Sequence, residues 1–205
     1  MFQIIYLWFL NFLKEWNIII NLMAESSMLP LETKAPQFSL TDVSSDNAVS
    51  LSDFDSKKAL LVMFICRHCP YVKHVQVELA KIGRDYQNKD IGIVAISSND
   101  IEAYPEDAPD SLKEQAQELG FTFPYLYDES QDIAKVYTAA CTPDLFLFDK
   151  ERKLIYRGQL DDSRPDSGIL VTGKDLRSAI DATLAGELPD TNQKPSIGCS
   201  IKWKA

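Results

Sequence analysis

Two cysteines separated by two residues follow directly on an apolar run. The run, Leu60–Ile65, has the length and composition of a buried strand, and it ends at Cys66. Cys69 comes next in the pattern, and Pro70 then opens a helical sequence, which suits its missing N–H. The free N–H groups and the positive end of a helix dipole stabilise an anion. The spacing therefore predicts a thiol–disulfide redox site in which Cys66 has a lowered pKa and attacks.

The two residues between the cysteines add to this expectation. Arg67 and His68 are basic or hydrogen-bonding side chains next to the sulfur of Cys66. Both favour a thiolate, and a stabilised thiolate makes the dithiol a better leaving pair and raises its reduction potential. Cys69 is predicted to attack the mixed disulfide and to release the product.

Periodic segments around the pair predict the elements that position it. Apolar residues recur after Pro70 with the spacing of one helix face, and Ile91–Ser97 is a second buried strand. Strand, helix and strand of these lengths predict a right-handed βαβ unit with parallel strands. Asp144–Phe148 and Leu154–Arg157 predict a β-hairpin, and a helix follows it. The C-terminal segment NQKPSIGCSIKWKA shows no periodicity and is interpreted as a tail.

Composition limits the class of protein. The chain has 205 residues and a net charge of −9, which fits one α/β domain and argues against non-specific nucleic-acid binding. Four cysteines are too few for a disulfide-stapled scaffold of this length. They favour catalytic or metal-binding use of the pair, and the redox interpretation predicts no cofactor and no bound metal.

The first 22 residues differ in character from the remainder of the chain. They are apolar and aromatic, but Asn11, Lys14 and Glu15 interrupt the run, and no signal-peptide pattern is present. Three interpretations stay open: a partner-docking amphipathic helix, a weak membrane anchor, and an upstream start codon placed before a natural start at Met23. The predicted division is an extension at 1–22 and one domain at 23–205. The predicted location is the cytoplasm, with a membrane-anchored, periplasm-facing domain as the alternative.

Four short sequence segments carry a family resemblance: FICRHCPYVKH, CTPDLFLFD, YRGQLDDSRP and PSIGCSIKWK. From Leu31 to the C-terminus the chain resembles thioredoxin-like proteins of the alkyl hydroperoxide reductase and thiol-specific antioxidant branch, including a peroxiredoxin-like group. The resemblance implies a three-layer α/β/α sandwich with a mixed central sheet. It also implies that Thr142-Pro143 is a cis peptide packed against the cysteine pair, presenting the backbone before it to the substrate.

The resemblance implies a thiol–disulfide oxidoreductase acting on protein or small-molecule disulfides and thiols. A peroxiredoxin-like antioxidant acting on peroxides is the first alternative. Against it, Val62 and Cys66 stand where peroxiredoxins carry the proline and the hydroxyl residue that precede their reactive cysteine. A non-enzymatic metal or cluster binder is the second alternative, in which His68 or His74 and Cys141 complete the ligand set of the pair.

Two further cysteines are candidates for additional redox thiols. Cys141 lies two residues before Pro143, so the resemblance places it near the pair, either as a third thiol or as a small buried residue. Cys199 lies on the tail, where it is predicted either to act as a resolving thiol, when the tail folds back, or to be inert.

Overall fold

The computed structural model describes residues 23–205, and the predicted extension at 1–22 lies outside the described residues. The strands are β1 Met23–Glu25, β2 Ser39–Asp42, β3 Ala48–Ser50, β4 Ala59–Phe64, β5 Ile91–Ser97, β6 Tyr125–Tyr127, β7 Cys141–Thr142, β8 Asp144–Phe148, β9 Leu154–Arg157 and β10 Ile197–Ser200. The α-helices are α1 Pro70–Tyr86, α2 Pro109–Leu119, α3 Asp132–Val136 and α4 Lys174–Ala185. Short 3-10 helices span Leu51–Phe54 and Pro105–Asp107.

Seven strands form the central sheet, in the order β3-β2-β6-β5-β4-β8-β9. Strands β4, β5 and β6 run parallel, and β8 pairs antiparallel with β4. The predicted βαβ unit, the β8–β9 hairpin and the mixed character of the sheet are therefore confirmed.

The sheet is covered on both faces because β4 is apolar at every position. Leu61 and Met63 face a core shared with α1, α2 and α4. Leu60, Val62 and Phe64 face the opposite core, to which α3 contributes Ala134. Full burial of one such side chain contributes about 1.5–3 kcal/mol. The sheet with helices packed on each of its two faces gives the predicted three-layer sandwich.

Helix α1 buries the face that its sequence predicts. The residues of that face, all at most 5% exposed, are Val72, Val75, Leu79, Ile82 and Tyr86. The helix begins at Pro70, and Cys69 is its N-cap residue with extended backbone angles. The cysteine pair therefore lies in the short segment between the end of β4 and the first turn of α1.

The interpretation of the C-terminal segment as a tail without regular structure was wrong. Ile197–Ser200 forms β10, the central strand of a second sheet of order β1-β10-β7. Its pairing with β7 is set by residues far apart in sequence, with Cys199 opposite Thr142. No local periodicity signals a four-residue strand with partners of this kind.

Within residues 23–205, no helix has both the length and the apolar character that crossing a membrane requires.

Candidate functional site

Both cysteines of the pair lie in the core, at 0% exposure. Cys66 follows β4 by two residues, and Cys69 caps α1. Both are free thiols that pack in the same core cluster as α1. A substrate therefore reaches either sulfur only after the groups above them move.

Thr142 contacts the sulfur atoms of both Cys66 and Cys69. The peptide between Thr142 and Pro143 is cis, as the family resemblance implies. The Sγ of Cys66 lies 3.3 Å from Thr142 Oγ1, and the Sγ of Cys69 lies 3.2 Å from the Thr142 backbone oxygen, to which its thiol form donates. The predicted contact of the pair with the Thr142-Pro143 segment is thus present in the structure.

The prediction that Cys66 is the ionised thiol was wrong. Burial, a hydrogen bond with Cys69 and the negative charge of Asp107 raise the pKa of Cys66 well above its usual value. Burial also raises the pKa of Cys69, but hydrogen bonds from Cys199, Cys66 and Thr142 and the N–H of Val72 outweigh it and lower the pKa. The helix N-terminus makes the smallest of these contributions, through Val72 in the first turn of α1.

Arg67 does not supply the predicted positive charge to the pair. Its Nη1 donates to the backbone oxygen of Ser111 at 2.6 Å and to Glu114 Oε2 at 2.8 Å, and its Nη2 lies 3.7 Å from Glu118 Oε2. These contacts hold the guanidinium on α2. Only the backbone N–H of Arg67 takes part in the site.

Asp107 organises the loop between the cysteines, and the sequence analysis missed it. Its Oδ1 accepts the backbone N–H groups of Arg67 at 2.8 Å and His68 at 3.0 Å. Its Oδ2 lies 2.5 Å from His68 Nδ1 and accepts Asn99 Nδ2 at 2.8 Å. His68 therefore contacts Asp107, not the sulfur, and its ring stacks on Tyr104 with centroids 4.7 Å apart.

One signal in the sequence points to Asp107. The carboxyl ends of parallel strands meet at one edge of a sheet, so the loop after β5 has to lie beside the loop after β4. Asn99 and Asp107 both lie in that loop.

The two remaining cysteines lie on opposite sides of the site. The Sγ of Cys141 is 3.5 Å from the Pro143 backbone oxygen and 3.9 Å from that of Ser196, and burial and Asp144 raise its pKa. Cys199 belongs to the same core cluster as the pair, and its interaction with Cys69 and its burial raise its pKa. The structure thus brings Cys199, not Cys141, to the pair.

Residues 31–157 match the family described as the AhpC/TSA family. The chain belongs to this family.

Three individual proteins are also similar to this chain. An uncharacterized conserved protein from Geobacillus kaustophilus has 57% sequence identity and a TM-score of 0.87, over 89% of this chain and 96% of that one. The thiol-disulfide oxidoreductase ResA of Bacillus thuringiensis (strain Al Hakam) is 22% identical over 161 residues, which are 76% of this chain and 84% of that protein. The thioredoxin domain of thiol-disulfide oxidoreductase BVU-2223 from Bacteroides vulgatus has 23% identity and a TM-score of 0.54, over 67% of this chain and 91% of that one.

These similarities confirm the predicted thioredoxin-type fold and the membership of the AhpC/TSA branch. They also support the predicted redox function of a thioredoxin-family protein.

A small pocket of this AhpC/TSA-family chain opens beside Pro143. Its lining includes Tyr71 and His74 from α1, and Gln159 and Arg164 from the loop after β9. Polar and aromatic side chains therefore border the cis peptide.

The metal alternative has one geometric counterpart in the described part of the chain. Ligand atoms of Cys66, His68 and Asp107 lie within 4.8 Å of one another. His74 and Cys141, which the sequence analysis considered as completing ligands, are not in this group. The imidazole and carboxylate are instead bound to each other.

Proposed function

We propose that this chain is a thiol–disulfide oxidoreductase whose redox couple is Cys66 and Cys69. The observation that carries the proposal is the contact of both sulfurs with Thr142, the residue before the cis proline. The likeness to proteins named thiol-disulfide oxidoreductases supports the same activity. Substrates of this class are protein or small-molecule disulfides.

The reduced chain reacts in two exchange steps. The thiolate of Cys69, the thiol with the lowered pKa, attacks one sulfur of a substrate disulfide, and the other substrate sulfur leaves and takes up a proton. Cys66 then gives up its proton and attacks Cys69, which releases the second substrate thiol. The substrate gains two electrons and two protons, and the chain keeps a Cys66–Cys69 disulfide. Asp107 positions the intervening loop through its two backbone N–H groups.

Insulin reduction with dithiothreitol as electron donor tests this proposal on the full chain. Cys69→Ser, which removes the attacking thiolate, is expected to lower turnover to the rate of dithiothreitol alone, and Cys66→Ser is expected to lower turnover below that of wild type. Cys141→Ser is the matched control, because it removes a buried thiol whose contacts are with Pro143 and Ser196. Wild-type turnover no faster than that of the two site variants would refute the oxidoreductase assignment.

A peroxidase is the second candidate, and one contact favours it. The Thr142 hydroxyl lies 3.3 Å from Cys66 Sγ, so a hydroxyl is present at this sulfur although the peroxiredoxin loop is absent. In such a reaction a thiolate attacks one peroxide oxygen, the other leaves as water or alcohol, and the sulfenic acid condenses with the second cysteine. We expect Thr142→Val to slow hydrogen peroxide consumption in stopped-flow assays. Consumption no faster than by free cysteine would exclude an antioxidant role.

We further propose a cytoplasmic location. The cytoplasm keeps thiols reduced, and this condition suits a couple whose proposed cycle begins with the dithiol. Fractionation of cells expressing the full chain tests this proposal. Recovery in the membrane fraction, with a domain accessible from the periplasm, would favour the anchored alternative.

A further inference from the structure

We propose that Cys199 is a third redox thiol, which forms a disulfide with Cys69 as an alternative to Cys66. The inference rests on the proposed function and extends it, because it gives Cys69 two resolving partners. It assigns a role in the chemistry to the C-terminal strand.

The pairing of β10 with β7 places Cys199 on the correct face. Cys199 lies directly opposite Thr142 in an antiparallel ladder, and side chains of opposed residues project from the same face. The Thr142 hydroxyl on that face contacts Cys66, and Cys199 packs in the same core cluster as Cys66 and Cys69. Cys141, one position earlier in β7, faces the other way and is opposite Ser200.

Gly198 allows this strand to approach the cis peptide. A Cβ atom at position 198 would lie 2.1 Å from the Thr142 oxygen, closer than real Cβ atoms approach, and 3.2 Å from the Pro143 nitrogen. Glycine is therefore required for the close backbone contact. The contact fixes Cys199, the next residue, beside the pair.

The segment is also held on both sides of Cys199. Before it, the backbone oxygen of Ser196 accepts the N–H of Ser26 at 2.9 Å. After it, the N–H of Ile201 donates to Ala140, and the N–H of Lys202 donates to Asn99 Oδ1 at 2.8 Å. Asn99 is the same residue that donates to Asp107. The strand is thus part of the framework that holds the loop between the cysteines.

Accessibility gives the third thiol a purpose. Cys199 is 6% exposed, whereas Cys66 and Cys69 are at 0%. A disulfide that moves from the Cys66–Cys69 pair to Cys69–Cys199 lies nearer to solvent, where an external thiol reductant reaches it with less opening of the core.

The exchange balances without any further reagent. Cys199 loses its proton and its sulfur attacks Cys69 within the Cys66–Cys69 disulfide. The bond between Cys66 and Cys69 breaks, Cys66 leaves as a thiolate and takes up the proton, and no net electrons are transferred. An external dithiol then reduces the Cys69–Cys199 bond and is itself oxidised to a disulfide.

Disulfide mapping of the full chain after treatment with oxidised glutathione tests the proposal. In Cys66→Ser we expect the free thiols of Cys69 and Cys199 to disappear together, with their two peptides joined in the digest and two glutathione molecules released. Adding Cys141→Ser to this variant is the matched control and should leave the link unchanged. Adding Gly198→Ala to Cys66→Ser should abolish the link.

The outcomes separate this inference from the proposed function. If Cys66→Ser yields only a mixed disulfide of Cys69 with glutathione, or stays reduced, while wild type forms Cys66–Cys69, Cys199 has no redox role and the oxidoreductase assignment stands. If wild type forms no Cys66–Cys69 disulfide and does not reduce insulin, the proposed function fails. Circular dichroism of each variant establishes that it is folded. A confirming measurement needs no substitution: when disulfides of the wild-type chain are trapped during turnover, Cys69–Cys199 should be among those recovered.

Discussion

Asp107 and Asp144 are both fully buried, and both lie beside the thiol site, but their partners differ in kind. Asp144 follows Pro143 and pairs with Arg157, a permanent cation that is itself 0% exposed, at 3.1 Å. Asp107 is bound by two backbone N–H groups, an amide and the imidazole of His68, whose side chain is 13% exposed. One carboxylate is fixed in a closed ion pair, and the other is bound to groups of the reactive loop.

The pKa directions follow from this difference. Burial raises the pKa of Asp144, and Arg157 with its hydrogen bonds only partly opposes that effect. Burial also raises the pKa of Asp107, but hydrogen bonds from His68 and Asn99 outweigh it and lower the pKa. Direct donors to the carboxylate therefore stabilise the charge of Asp107, which in turn raises the pKa of Cys66.

The ion pair offers the largest expected effect on stability. Arg157→Met leaves the Asp144 carboxylate buried without its cation and removes donors to Ser26 and Thr138. We expect the free energy of unfolding in urea to fall by about 3–5 kcal/mol. The double variant Asp144→Leu, Arg157→Met should be less unstable than Arg157→Met alone, because no charge is then left unpaired. A loss below about 1 kcal/mol in the single variant would contradict a buried ion pair.

Asp107→Asn should have a smaller effect on stability and a specific effect on the thiol. The amide still fills the site but accepts fewer of the four donors, so a loss of about 1–3 kcal/mol is expected. Removal of the negative charge should lower the pKa of Cys66. Thiolate absorbance at 240 nm measures this in a chain that keeps Cys66 as its single cysteine. Glu114→Gln is the control, since it removes a carboxylate that contacts only the Arg67 side chain. An unchanged or raised pKa in Asp107→Asn would contradict the assignment.

How far the sequence predicts this arrangement depends on the range of the interactions. Strand β4 follows from a continuous apolar run, and helix α1 and its buried face follow from a spacing of three to four residues; the structure confirms both. The cis peptide at Thr142-Pro143 was implied by a family resemblance that rests on short motifs. These features are local, so the pattern that encodes them is continuous in the chain.

The parts that were missed depend on distant partners. Asp107 meets His68 across 39 positions, and Cys199 meets Thr142 through a four-residue strand with no pattern of its own. The ionisation of the pair was misassigned although the sequence places the helix start at Pro70, as the structure does. Burial, Cys69 and the charge of Asp107 raise the pKa of Cys66, and Asp107 lies too far along the chain for a local pattern to reveal it.

The pH dependence of stability sharpens the contrast, because the pKa of one carboxyl group is lowered on folding and that of the other is raised. The folded pKa of Asp107 is below its ordinary value of 3.8, so its contribution is complete above that pH and is lost as pH falls through the folded pKa. The folded pKa of Asp144 is above 3.8, so this group favours folding as pH falls from its folded pKa toward 3.8. Urea unfolding of wild type between pH 5 and pH 2.5 should show a steeper acid loss than Asp107→Asn. Equal slopes in the two proteins would contradict a lowered pKa at Asp107.

His68→Phe is expected to give the smallest change and separates the imidazole from the carboxylate. Phenylalanine keeps an aromatic ring to stack on Tyr104 and removes the hydrogen bond to Asp107 Oδ2, while Asn99 and the backbone N–H groups still bind that carboxylate. The expected loss is about 0.5–1.5 kcal/mol in the free energy of unfolding. His74→Phe, on the neighbouring turn of α1, is the control for a change of ring type. If His68→Phe costs as much as Asp107→Asn, the imidazole is the principal partner of the carboxylate and the backbone N–H groups are secondary. A smaller cost means that Asp107 acts mainly on the backbone between the cysteines. The carboxylate then controls the geometry of this loop rather than the charge of His68.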